Sequence, residues 1–179
     1  MQPSKVAQRY AKAFYGLAAD QRLTEEITAD SAKIGALLDA SKAFSDLVTS
    51  PTLEAADQRA TLSKLFAGQA QPLTVRFLSF LCERDRLDQL ADICAAVQVL
   101  YNQQQNILPV DLHTARPLAG AQIKEITDRL GKRFGKTIDL SIQEDPSLMG
   151  GFMVIAGDEV IDLTVRTQLA TIRKNILNA

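Results

Sequence analysis

Gly131-Lys132-Arg133-Phe134-Gly135-Lys136-Thr137 comes nearest to a chemical motif in this chain, because it ends in the Gly-Lys-Thr of a phosphate-binding loop. Such a loop needs four residues between its glycines and must follow a strand and open a helix, so that backbone amides point at phosphate. Here three residues separate the glycines, and Leu130 stands where the first glycine belongs. The order of elements is also reversed, since a helical pattern precedes the stretch and a strand pattern follows it. The local physics instead predicts a helix C-terminus, with Lys132 and Arg133 facing the negative end of the dipole and Gly135 as the stop. Two alternatives would use this basic loop: a nucleotide-binding enzyme spanning Gly131 to Thr137, or an RNA-binding α+β module working through Lys132, Arg133 and Lys136.

No other residues assemble a reaction. His113 is the single histidine, so it would have to serve every nucleophile pair that could be drawn, and its strand pattern predicts a solvent-facing position. Cys82 and Cys94 lack metal-ligand spacing and lie on apolar helical stretches, where a thiol behaves as a small hydrophobe. Carboxylates are plentiful but fall on polar faces. The expectation is a chain with no catalytic residue, no metal and no cofactor.

Composition narrows the class. Apolar residues make up 46% and charged residues 23%, which suits folded domains rather than a disordered chain. The formal net charge is -1, with 11 basic and 12 acidic residues through Gln105 and nine of each afterwards. Neither part has the basic excess expected of a nucleic-acid binder. No apolar run approaches the roughly 18 residues of a membrane span, so direct insertion is not expected.

Up to Gln105 the pattern is helical, and the breaks divide it into six helices over residues 4–20, 24–40, 42–49, 53–66, 72 onward and 87–104. The third is expected to stop before Ser50-Pro51, because the residue preceding proline disfavours the helical region. The fifth begins near Pro72 and carries Leu73, Phe77, Phe80 and Leu81 down one side. The first contains Lys5, Arg9 and Lys12 and no acid before Asp20, which is also how a transit peptide reads. Val6, Tyr10, Ala13, Phe14 and Leu17 fall at helical spacing, however, as in a structural first helix. Short connections between such helices predict an all-α six-helix bundle as an N-terminal domain, residues 1–105.

Residues 106–179 have a different texture. A strand over 107–114 contains Pro109 and is therefore expected at a sheet edge, or to begin after the proline. A helix over 119–134 and an alternating strand over 136–143 follow. Next come Asp145-Pro146-Ser147-Leu148-Met149-Gly150-Gly151-Phe152-Met153-Val154, the turn Ala156-Gly157-Asp158-Glu159, the run Val160-Ile161-Asp162 and a closing helix over 163–177. The order β-α-β-β-β-α describes a small α+β C-terminal domain. The glycine pair reads as a close backbone approach or a kink at a strand start.

This last segment, with Asp145, Gly150, Gly151, Asp162, Val165, Arg166 and Leu169, resembles the C-terminal signature of the F-type ATP synthase delta subunit family, called the oligomycin-sensitivity-conferring protein in mitochondria. Val6-Ala7-Gln8-Arg9-Tyr10-Ala11-Lys12-Ala13-Phe14 is similar to the family's first-helix motif. Arg76-Phe77-Leu78-Ser79-Phe80-Leu81 with Asp85-Arg86-Leu87-Asp88-Gln89-Leu90 is similar to its fifth- and sixth-helix pattern. Two positions depart from the family's pattern: Leu163 stands in place of a common glycine, and Thr167 in place of a small residue.

The resemblance implies a non-catalytic stator subunit of the peripheral stalk, which keeps the alpha/beta hexamer from turning with the rotor during proton-driven ATP synthesis. Its helical domain would grip the N-terminal helix of an alpha subunit, and its C-terminal domain would join the b subunits. Tyr10, Ala11, Phe14, Phe77 and Phe80 are the expected lining of the alpha-subunit site, with small Ala7 and Ala11 admitting the partner helix closely; Phe14 and Phe77 as plain core is the alternative. A first-helix motif so near the start favours a bacterial protein at the cytoplasmic face of the inner membrane.

Overall fold

The computed structural model describes residues 4–50 and 54–177, with side chains described through Thr171 and at Arg173. The chain divides into two compact units, the first ending at Tyr101 and the second beginning at Asn102. The division falls within the last turn of a helix, a few residues before the boundary expected at residue 105.

The first unit is helical. Helix α1, Lys5–Gln21, is opened by Ser4, whose hydroxyl accepts the Ala7 N–H at 3.1 Å. It ends as Arg22 enters the left-handed region at φ 56° while Leu23 N–H bonds back to Ala18 O. Helix α2, Thr24–Ala40, has Glu25 and Glu26 in its first turn, where carboxylates oppose the positive dipole end. Helix α3, Lys42–Thr49, is capped by Ser41 and followed by extended Ser50, as the approach to a proline requires; Pro51 itself lies outside the described residues. Helix α4 is Ala55–Phe66, and the expected start at Leu53 also lies outside them.

Helix α5, Pro72–Glu83, has no side-chain cap of its own. Buried Asp30 of α2 supplies one, accepting the Gln71 N–H at 2.7 Å and the Thr74 hydroxyl at 2.8 Å. Asp30 thereby fixes the axial position of α5 against α2. The expected single helix over 87–104 is instead a 3-10 turn, Leu87–Gln89, leading into α6, Leu90–Gln104; such tightened turns are frequent at helix starts. Ile27, Leu62, Leu78, Leu81, Leu90, Ile93 and Val97 fill the core. Cys82 and Cys94 belong to it, and burial pushes both thiols up, that of Cys94 to about 12, so both stay protonated and unreactive near neutral pH.

The second unit runs β1 (Ile107–Thr114), α7 (Gly120–Phe134), β2 (Thr137–Glu144), β3 (Phe152–Ala156), β4 (Glu159–Asp162) and α8 (Val165–Leu177), the order expected. The sheet order is β2-β1-β3-β4, with β1 parallel to β2 and antiparallel to β3. The expectation of an edge position for the Pro109 strand is overturned, because β1 is central. The physical reason is the register: β3 pairs only with 111–114, so Pro109 lies on a stretch that has β2 on one side alone. A residue without an N–H is tolerated there. Leu130, Ile126 and Phe134 of α7 pack against Val110, Leu112 and Val154 of the sheet. His113, paired with Gln143 and Met153, is half-buried in this central strand rather than solvent-facing.

Candidate functional site

Two aromatic pairs join α1 to α5. Phe14 stacks on Phe77 with ring centroids 4.1 Å apart and planes 6° from parallel, and Tyr10 meets Phe80 at 6.2 Å. Moving forward along α1 means moving backward along α5, so the helices are antiparallel where they touch. Burial separates the five expected residues into two layers. Ala11 and Phe14 are 0% and 2% exposed and form part of the core, whereas Phe80 is 40% exposed and Tyr10 and Phe77 lie between.

Ala11 and Phe14 therefore support the surface from beneath and do not line it. Ala7 is buried in the same way, so these small residues admit neighbouring helices of their own unit. Of the residues whose spacing marks the first helix, Val6 and Leu17 are exposed on α1, as is Ala13 between them. With Tyr10 and the α5 residues Leu73, Phe77 and Phe80 they make an apolar seam in which Val6, Leu17 and Phe80 stay exposed and Tyr10, Leu73 and Phe77 are half-buried. A helix held by anchors one turn apart would find its counterpart in such a seam.

The C-terminal residues are built differently. Gly151 has φ 75°, and a Cβ there would lie 2.2 Å from Leu163 O; one on Gly150 would lie 3.0 Å from Val165 Cγ2. The chain that leaves β4 crosses directly over this pair. Val165 N–H bonds to Gly150 O and Leu163 N–H to Phe152 O, both at 3.0 Å. Asp162 accepts the Thr164 N–H at 2.9 Å and the Thr167 hydroxyl at 2.7 Å, while Thr164 Oγ1 accepts the Thr167 N–H. These bonds close the first turn of α8, which starts two residues later than the expected 163 because Leu163 and Thr164 form the crossing. Thr167, a departure from the family's pattern, thus gains a role as a partner of Asp162.

Asp145 accepts the Ser147 N–H and closes the turn before the glycines. Hydrogen bonds from Ser147 hold the Asp145 carboxyl below the ordinary carboxylate range, and the Thr164 N–H and then the Thr167 hydroxyl do the same for Asp162. Arg166 adds a smaller attraction to both. This knot is structural, with polar atoms directed at one another rather than into a cleft. Lowered folded values mean that the charged forms favour the fold above the ordinary value of about 4, and that this support is lost as pH falls through the folded values. Asp162→Asn should accordingly be less stable than the parent chain at neutral pH, with the gap closing in acid. Urea titrations of both chains across that range would measure it.

Beside the knot, α7 and strands β3 and β4 border a half-open cavity of about 440 Å³ lined by Leu118, Ile126, Leu130, Phe152, Ile161 and Leu163, among others. Val160, Leu163, Val165 and Leu169 are exposed on the same unit. The basic loop offers no phosphate cradle: Gly135 at φ 63° ends α7, donating to Gly131 O at 2.8 Å, and Arg133 pairs with Glu159. Among the described residues no group of three or more His, Cys, Asp or Glu is placed to hold a metal, and no helix is long and apolar enough to cross a membrane.

The sequence profile of the ATP synthase delta (OSCP) subunit matches residues 6–176. The chain belongs to the ATP synthase delta (OSCP) subunit family. It is a non-catalytic subunit of the ATP synthase and a component of its peripheral stalk. Relatives include the ATP synthase subunit delta of Citrifermentans bemidjiense, 32% identical over 97% of both chains, and that of Synechococcus elongatus, 31% identical over 94% of both. Among solved structures, a chain of the Toxoplasma gondii mitochondrial ATP synthase hexamer superposes with a TM-score of 0.74 at 26% identity, covering 97% of this chain and 98% of that one. Family membership and the knot agree in one respect: the most recognisable residues of this delta-family chain maintain a backbone crossing.

Proposed function

We propose that this chain ties the catalytic hexamer to the stalk, its helical unit acting as a six-helix bundle that binds the N-terminal helix of an alpha subunit. The supporting observation is the partly exposed apolar seam of Val6, Tyr10, Ala13 and Leu17 on α1 beside Phe77 and Phe80 on α5. Tyr10, Phe77 and Phe80 touch the partner, while Ala11 and Phe14 hold α1 and α5 at the spacing that makes the seam. The α+β unit joins the b subunits, through the apolar surface formed by the cavity under α7 and exposed Val160, Leu163 and Leu169. The assembly sits at the cytoplasmic face of a bacterial inner membrane, a reading supported by bacterial relatives that align along nearly the whole chain.

A stator must resist torque, so its affinity should be spread over many contacts along both helices. The test is a calorimetric titration of the full chain with a peptide spanning the alpha subunit's N-terminal helix. Binding by the parent chain and a loss of at least about tenfold in Phe80→Asp are expected, since a buried unpaired charge is costly. Absence of binding by a folded parent chain would reject the reading.

A further inference from the structure

The apolar seam has an asymmetric border. Taking about 100° per residue, Val6, Tyr10, Ala13 and Leu17 fall within about 60° of the α1 circumference, and Lys5, Arg9 and Lys12 occupy the adjoining sector of similar width. All three cations are exposed, and none forms an ion pair among the described residues. Across the seam, Arg84 lies over the Phe80 ring at 5.4 Å. Because α1 and α5 are antiparallel, Arg84 follows the end of α5 that approaches the start of α1, on the same end of the seam as Lys5 and Arg9.

Most carboxylates near that end already have partners. Asp92 accepts the Ser4 N–H at the tip of α1, Asp88 accepts from Gln89 Nε2 at 2.7 Å, and Glu83 is paired with Arg59 at 3.0 Å, while Asp85 follows Arg84 in the turn beyond α5. Asp20 lies at the opposite end of α1. Lys5 is also placed against its own helix, because positive charge in the first turn opposes the positive dipole end.

We infer that the α1 and α5 seam selects an acidic amphipathic helix, with Lys5, Arg9, Lys12 and Arg84 as specificity-determining residues that pair with carboxylates bordering the partner's apolar anchors. The inference rests on the docking role proposed above and adds the partner's charge. Rim charges of this kind steer encounter and exclude wrong partners more than they add affinity. A basic or neutral amphipathic helix with the same anchors would bind less well.

The test uses the full chain, a Lys5→Gln/Arg9→Gln/Lys12→Gln variant and Phe80→Asp, each titrated with the alpha-subunit N-terminal peptide and with a copy of it whose Asp and Glu are changed to Asn and Gln. At low salt the triple variant should bind the native peptide about tenfold more weakly than the parent chain, and the neutralised peptide no differently from it. The difference should close near 1 M salt, where the Debye length is about 3 Å. If the triple variant matches the parent at every salt concentration while Phe80→Asp abolishes binding, the charge inference falls and the docking role stands. If Phe80→Asp has no effect, the seam itself is wrongly placed and both fall. Phosphatidylglycerol vesicles form a further arm: vesicle binding lost in the triple variant, with peptide binding unchanged, would assign the cations to a lipid surface and overturn the inference. A peptide without carboxylates beside its anchors would do the same.

Discussion

Gly151→Ala is expected to unfold the α+β unit, or to leave it at least about 3 kcal/mol less stable. Two effects act together. An alanine at φ 75° is strained even in open space, and here its Cβ would sit 2.2 Å from Leu163 O, far inside contact distance. Relief cannot come from a side chain swinging away, because the obstacle is backbone held by the bonds Leu163 N–H to Phe152 O and Val165 N–H to Gly150 O. The crossing would have to open, and with it the join between β4 and α8. A stability of about 5–15 kcal/mol for a whole domain leaves little margin for that loss. Denaturant melts that resolve the sheet contribution would measure it. A Gly151→Ala chain as stable as the parent would show that the crossing is adaptable. Gly157, whose added Cβ would meet nothing within 4 Å, provides a control at similar φ, 62°.

Phe14→Ala should cost the helical unit about 3–5 kcal/mol, the usual range for removing a buried aromatic ring. The ring is 2% exposed and stacks on Phe77 at 4.1 Å, so its loss leaves a cavity between α1 and α5 and removes the contact that sets their spacing. Phe80→Ala, by contrast, removes a ring that is 40% exposed and should cost under about 1 kcal/mol of stability. Its effect should appear in peptide binding. Measuring urea stability and peptide affinity for both variants separates the supporting layer from the contacting one. Equal stability losses would mean that the two rings are not divided in this way.

The contrast between these two phenylalanines marks how far the sequence could be read. Both lie at helical spacing among apolar neighbours, and periodicity reports a stripe without saying which part of it faces the core. The stripe over Val6, Tyr10, Ala13, Phe14 and Leu17 contains one buried residue, one intermediate and three exposed, and only packing against α5 separates them. The cap from Asp30 to α5 was invisible for a similar reason: its partners, Gln71 and Thr74, lie more than 40 positions away along the chain. Pro109 misled because a proline in a strand signals an edge, whereas the register gives β1 an edge along only part of its length.

Local chemistry was legible where it is decided locally. Helix starts and stops at Ser4, Ser41, Pro72 and Gly135 follow from hydrogen-bonding groups and backbone freedom within a few residues, and the reversed strand and helix order around Gly131 to Thr137 excluded a phosphate loop. The glycine pair was readable as a close approach of backbones, and the order of motifs along the chain was enough to indicate the family. The sequence by itself therefore determined the main elements and their order. Tertiary structure decided which chain Gly151 makes room for, which aromatic rings support the seam, and which remain free to meet a partner. Those outcomes depend on contacts between residues far apart in sequence, and periodicity along one helix carries no information about what lies across from it.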